Sequence, residues 1–195
     1  MLNKDASKED GMRAVILVLL LGAALAGCSH PSAPSTGIPD PGTATARLSS
    51  VDSLAKAIDP DLQLVYVKGD KVMPDGFSRT WLYAYGNTAK HSGFYWFHAD
   101  SKGIGYDSIA PLQLQAGCIT HKWCNSDSAM HVAERDGGGD FRKANSPCTV
   151  TACLGELAVS PPITRWWIDY RSYKGEQCLL FAIDASTGKV ILAGP

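Results

Sequence analysis

From residue 47 onward the chain shows two hydrophobic periods in turn. Leu48, Val51, Leu54 or Ala55, and Ile58 recur at helical spacing, with Ser49 and Asp52 as a capping pair and Pro60 as a stop. Extended stretches follow at 62–68, 80–85 and 94–99, separated by turn residues such as Gly69-Asp70, Pro74-Asp75-Gly76 and Gly86-Asn87. From residue 125 the order repeats. Residues 127–134 align with 52–59 at an offset of 75, and Gly137-Gly138-Gly139 is expected to end this second helix. Trp166–Arg171 then corresponds to Trp81–Tyr85, and Leu179–Asp184 to Tyr95–Asp100, at an offset of about 84; a longer loop around 139–147 accounts for the difference. The pattern predicts an α+β protein made of two repeats, 47–115 and 116–195, each a helix with a three- or four-stranded antiparallel sheet. One helix covers one face of so small a sheet and leaves the other wet, so the copies are expected to form one unit.

Ahead of this lies a different pattern. Ala14 to Gly27 is an unbroken apolar run of roughly 20 Å as a helix, short of the ~30 Å needed to span a bilayer and typical of a secretory leader. It ends in Leu25-Ala26-Gly27-Cys28, which resembles the lipobox of bacterial lipoprotein precursors. That resemblance implies removal of residues 1–27, a diacylglyceryl thioether on Cys28 and a further acyl chain, such as palmitate, on its amine. Two or more chains hold a protein stably where one holds it marginally. Lys4 and Lys8 are mixed with Asp5, Glu9 and Asp10, a poor leader start; Met12-Arg13 makes a better one, so both Met1 and Met12 stand as initiation sites. Ser29 after the lipidated cysteine favours the outer membrane over the inner, with the chain facing the periplasm. Residues 28–46 hold four prolines among Ser, Thr, Ala and Gly and read as a semi-extended tether.

Charge narrows the partners. The chain carries 18 basic and 19 acidic residues, a net charge of −1, and residues 1–27 contribute equally to both totals. This balance gives no electrostatic case for nucleic acid. The expected partners are the lipid bilayer, through Cys28, and an envelope protein or peptide.

The five remaining cysteines are Cys118, Cys124, Cys148, Cys153 and Cys178, an odd number for an oxidising compartment. Pairs Cys118–Cys124 and Cys148–Cys153 would close short loops, and Cys153–Cys178 across neighbouring strands is the competitor. Sequence leaves the choice open.

Near the C-terminus, Arg165-Trp166-Trp167-Ile168-Asp169-Tyr170 is followed by Leu180-Phe181-Ala182-Ile183-Asp184-Ala185-Ser186-Thr187-Gly188-Lys189-Val190. This resembles the end of a PepSY domain over about 126–195, with Asp100-Ser101-Lys102-Gly103-Ile104 a degenerate counterpart in the first half. The resemblance implies a cystatin-like shape and, for some relatives, a regulatory or protease-inhibiting role. The residues themselves spell a turn: Asp184 and Thr187 can accept from backbone N–H groups just ahead, and Gly188 can take a positive φ.

Catalytic motifs are missing. There is no G-x-S-x-G, H-E-x-x-H, C-x-x-C or C-x-x-C-H, and no phosphate loop follows the glycine pairs. Cys118-x-x-His121-x-x-Cys124 has soft-ligand character but lacks a fourth zinc ligand. No cofactor or metal is expected. Alternation places Trp81, Tyr83 and Tyr85 on one strand face, Phe94 and Trp96 on one face of the next, and Trp166, Ile168 and Tyr170 on another. Trp81, Tyr83, Trp96 and Trp166 are therefore candidates for a binding face, packing being the alternative. The expected function is a non-enzymatic, membrane-anchored binding or regulatory module. A structural envelope lipoprotein, and a thiol- or metal-dependent activity around Cys118, His121 and Cys124, are the competing readings.

Overall fold

The computed structural model describes residues 42–87, 93–110, 116–119, 122–157 and 162–195, with backbone alone at 107–110, 116 and 157. The leader, Cys28, nearly all of the tether, His91 and His121 lie outside the described residues.

The chain is α+β. Helix α1 (Leu48–Ile58) leads into strands β1 (Gln63–Asp70), β2 (Trp81–Gly86), β3 (Phe94–Asp100) and β4 (Gly103–Ala110). A two-residue strand β5 (Ala116–Gly117) precedes α2 (Ser126–Ala133), a kink over Glu134–Gly138 and α3 (Gly139–Ala144). Strands β6 (Cys148–Leu157), β7 (Ile163–Ser172), β8 (Cys178–Asp184) and β9 (Val190–Gly194) follow. All pairings are antiparallel, and eight strands run in the order β4-β3-β2-β1-β6-β7-β8-β9, with β5 added on β6. The two four-stranded meanders thus join at one β1–β6 seam.

Register is shared by the two meanders. Gly69 lies opposite Trp81 and Val67 opposite Tyr83; Leu154 lies opposite Trp166 and Ala152 opposite Ile168, each 85 positions further on. At the seam Val67 pairs with Leu154 and Gly69 with Ala152, so the same four positions face each other about the Lys68–Cys153 pair. Each outer hairpin carries a one-residue bulge, at Asp107 and at Ile191. Such bulges twist an edge strand away from further pairing.

One sheet face is dry. Val67, Trp81, Tyr83, Tyr85, Phe97, Leu154, Trp166, Ile168, Tyr170 and Phe181 are each at most 1 % exposed and pack with Val51 and Ala55 of α1 and Ala129, Met130 and Ala133 of α2. Edge-to-face ring pairs recur within it: Tyr85 with Phe97 at 5.7 Å, Tyr170 with Phe181 at 5.8 Å, and Trp81 with Trp166 at 6.3 Å across the seam. Buried Ser126, at the start of α2, donates to the carbonyl of Gly76 and accepts from Ala44 N–H, stitching the second helix to the first half.

Several local expectations are corrected. Arg47 rather than Ser49 occupies the N-cap of α1, and Ser49 lies inside the helix, accepting from Ser53 Oγ at its carbonyl. Ala55, not Leu54, faces the core; Leu54 and Ile58 are 45 % and 47 % exposed. The glycine run does end the second helix, at Gly137. Asp136 and Gly137 leave helical geometry, Gly137 at φ +129°, and beyond them the backbone turns helical again as α3 where a loop was expected. The kink is pinned by side chains. Glu134 Oε1 accepts from Arg142 Nε at 2.6 Å and from the Tyr170 hydroxyl at 3.0 Å, while Arg142 Nη2 donates to Val72 O at 3.0 Å. Burial, then the Glu134 carboxylate, pushes the Tyr170 phenol well above its ordinary range.

Candidate functional site

Strand alternation gives the sheet a second face, on which no described helix packs. In its first row Trp96, Ala84, Tyr66, Gly155, Arg165 and Asp184 lie opposite one another in successive strands. In the next row come His98, Leu82, Lys68, Cys153, Trp167 and Ala182. Trp96, Tyr66, Trp167 and Arg165 are half-buried. The indole of Trp96 and the ring of Tyr66 meet edge to face at 6.1 Å over Ala84, whose small side chain is fully buried between them. Gly155 has no side chain to hold the Tyr66 ring off, so the ring leans across it; a Cβ there would sit 3.6 Å from Tyr66 Cδ2.

Below these rings the face is polar but internally matched. Lys68 Nζ lies 3.2 Å from Asp70, which accepts from Thr151 Oγ1 at 3.3 Å, and Arg171 Nε lies 2.7 Å from Asp169. The Tyr66 hydroxyl and the Cys153 thiol are hydrogen-bonded neighbours at the seam. Burial raises both ionisations. For Cys153 the Tyr66 hydrogen bond and Lys68 pull the other way without overcoming burial. A thiol held protonated at neutral pH is a poor nucleophile.

The sequence-derived candidates are divided by this arrangement. Trp81, Tyr83 and Trp166 are 0 % exposed on the helix-covered face, so they pack rather than present a surface; of the four proposed aromatics Trp96 alone lies on the uncovered face. Tyr66, Arg165 and Trp167 complete that face. The doublet Trp166-Trp167 carried the signal, because consecutive strand residues point to opposite sides.

No disulfide forms among the described residues. Cys148 and Cys153 sit on one continuous strand, about 17 Å apart at strand rise, beyond the ~7 Å Cα separation a disulfide tolerates. Cys153 lies opposite Trp167 and Cys178 opposite Arg171, two strands and four residues apart, so the competing pair is also out of reach. Cys118 adjoins Ile119, whose N–H bonds Leu64 O of β1, whereas Cys124 N–H bonds Ala185 O beyond β8. Those anchors are three strand spacings apart, about 14 Å. Cys124 is buried, its carbonyl accepting Trp166 Nε1 at 2.9 Å. With His121 outside the described residues, the C-x-x-H-x-x-C reading has no geometry here. Among the described residues no group of three or more His, Cys, Asp or Glu is arranged to hold a metal.

The turn residues make a closed motif. Asp184 Oδ1 accepts from Ser186 N at 2.8 Å, Ser186 Oγ at 2.6 Å and Thr187 N at 3.1 Å; Gly188 N reaches Asp184 O at 2.8 Å with φ +71°. Thr187 Oγ1 accepts from Lys189 N at 3.3 Å. All of these bonds lie within the turn.

Fold and site together define a class: one antiparallel sheet, helices on one face, an aromatic and partly charged surface on the other. No protein-family model matches the chain, and no curated protein matches it. Among solved structures it is similar to one described as a "putative lipoprotein" from Clostridium difficile 630, with a TM-score of 0.50, 12 % identity, and coverage of 75 % of this chain and 91 % of that one. At that identity the likeness is one of fold. No helix among the described residues is long and apolar enough to cross a membrane.

Proposed function

We propose that this protein is a lipid-anchored component of the bacterial envelope that binds another protein or peptide on its uncovered sheet face, without catalysis. The observation that carries the reading is the row Trp96–Tyr66 with Trp167 beside it. Large rings, half-exposed and held by a rigid sheet, suit a recognition surface, where aromatic residues and Arg are enriched. The neutral Tyr66–Cys153 pair offers neither a thiolate nor a base.

The anchor rests on the apolar run and Leu25-Ala26-Gly27-Cys28, and the description of the Clostridium difficile structure as a lipoprotein is in keeping with it. We read residues 28–41 as the tether, residues 42–46 being bonded into the fold, and the periplasmic side of the outer membrane as the location. We also infer that the chain is a duplication of one αββββ unit, related in its second copy to PepSY domains. Support comes from the matched registers of β1–β2 and β6–β7, the self-mirrored seam, and the ring pairs Tyr85–Phe97 and Tyr170–Phe181.

Site-specific photocrosslinking tests the binding role. A crosslinking residue at position 96 or 167, in cells that express the protein, is expected to trap a discrete envelope partner. The same group at Ser53, on the outer side of α1, is expected to trap none. Equal or absent crosslinking at all three positions would remove the case for the face. Mass spectrometry of the mature N-terminus tests the anchor: the expected species begins at Cys28 with added acyl mass, and an unmodified sulfur there would end that part of the reading.

A further inference from the structure

We propose that Arg165 is the anchor for a carboxylate side chain of the partner, so that the uncovered face selects a protein loop or peptide carrying Asp or Glu beside an apolar or aromatic residue. This rests on the binding role proposed above. Three observations lead to it.

The first is charge. Lys68 is matched by Asp70, Arg171 by Asp169, and Asp184 spends its Oδ1 on Ser186 and Thr187. Arg165 lies directly opposite Asp184, yet none of the ion pairs on this face includes it. Glu156 is the nearest acid on β6, but it pairs in register with Thr164 and so belongs to the helix-covered side. Among the described residues Arg165 therefore forms no ion pair, although Asp184 opposite it and Asp100 on β3 form none either.

The second is an orphan donor. Arg165 Nε is shut off from solvent and has no hydrogen-bond partner among the described residues. A buried, unpaired N–H on a charged group costs free energy, so a partner's acceptor that draws the half-exposed Arg165 side chain outward gains by pairing it. A carboxylate does this best, because its two oxygens match the guanidinium fork.

The third is the setting. Across the side-chain-free Gly155 stands the Tyr66 ring, and two residues along β7, on the same side, stands Trp167. Aromatic walls on two sides limit water around the guanidinium, which strengthens a charge-assisted bond, and offer a ring or aliphatic chain next to the acid a place to lie.

Panning a random peptide library displayed on phage against the whole chain tests this. Selected peptides are then synthesised with their acid intact or changed to Gln, and titrated against wild type, Arg165→Gln, Arg165→Lys, Trp96→Ala and Trp167→Ala by fluorescence anisotropy. The expected peptides carry Asp or Glu beside an apolar residue. Gln in the peptide, or Arg165→Gln in the protein, weakens binding at least tenfold, the two together cost no more than either alone, and Arg165→Lys recovers part. Thermal melting of Arg165→Gln should not fall below wild type, since no bond of Arg165 among the described residues is lost and a buried unpaired N–H is removed. Peptides that respond to Trp96→Ala or Trp167→Ala but ignore Arg165→Gln would overturn the anchor and leave the face as a binding surface. Peptides indifferent to all four substitutions, or no selection at all, would overturn both.

Discussion

The indole rings of Trp81 and Trp166 meet edge to face across the central seam, 6.3 Å between centroids at an interplanar angle of 72°. Each donates its N–H to a main-chain carbonyl ahead of a helix, Trp81 to Gly42 at 2.8 Å and Trp166 to Cys124 at 2.9 Å. One pair of residues thus ties both meanders, both helix entries and the seam together. Trp81→Phe and Trp166→Phe each remove a buried indole hydrogen bond and part of a packed ring, Gly42 O keeping its bond from Ser78 N–H, and are expected to cost about 1–3 kcal/mol. Because the rings touch, the double variant should depart from additivity by about 0.5–1.5 kcal/mol in urea unfolding. Strict additivity would mean that the ring contact carries no energy of its own.

The kink after α2 gives a second test. A Cβ on Gly138 would overlap the Tyr170 hydroxyl, which is itself held by Glu134. Gly138→Ala is therefore expected to lower stability by about 1–3 kcal/mol, the usual cost of forcing extra volume into a packed site. Tyr170→Phe removes the hydroxyl oxygen but leaves the ring Cζ and Ala133 O in the way, so adding it should recover only a small part of that loss. A Gly138→Ala protein that unfolds at the wild-type urea midpoint would contradict the packing described.

Much of this fold is written in short-range pattern. Alternation through Trp81, Tyr83 and Tyr85, and through Trp166, Ile168 and Tyr170, put each set on one side, and all six are buried on the same face. Alternation alone does not say which face receives the helices, so Trp81, Tyr83 and Trp166 looked as eligible for binding as Trp96. Tyr66 and Arg165 become visible only when β1, β6 and β7 are laid side by side, because 99 positions separate them in the chain. Cysteine spacing misled for a related reason. Five residues are a short loop in sequence, but within β6 they are a length of extended strand. The glycine run marked the helix end at Gly137 but hid the short helix beyond it, because Gly138 and Gly139 are themselves helical.

Thiol reactivity follows from position. Cys178 is exposed, whereas Cys153 lies under Tyr66 with its ionisation raised first by burial. Iodoacetamide at neutral pH should label Cys178 well before Cys153, and the Cys153 rate should climb only as pH passes above the usual thiol range of about 8.5. Peptide mapping by mass spectrometry reads each site separately. Equal labelling at neutral pH, or recovery of a Cys148–Cys153 disulfide from the folded protein, would be incompatible with an intact β6.

The Asp184 turn makes a pH prediction with a definite sign. Burial opposes its ionisation, but hydrogen bonds from Ser186 and Thr187 outweigh that and hold its carboxyl below the ordinary Asp value. A group whose pKa is lower in the folded chain stabilises it above the unfolded pKa, about 3.9, and loses that contribution as pH falls through the folded value. Asp184→Asn keeps a side-chain carbonyl acceptor and removes the charge, so the variant should melt below wild type at pH 7. The gap should narrow steadily as pH drops from about 4 toward 2, where the wild-type carboxyl takes up its proton. A gap that stays constant across that range, or widens, would mean that the charge on Asp184 does not stabilise the β8–β9 turn.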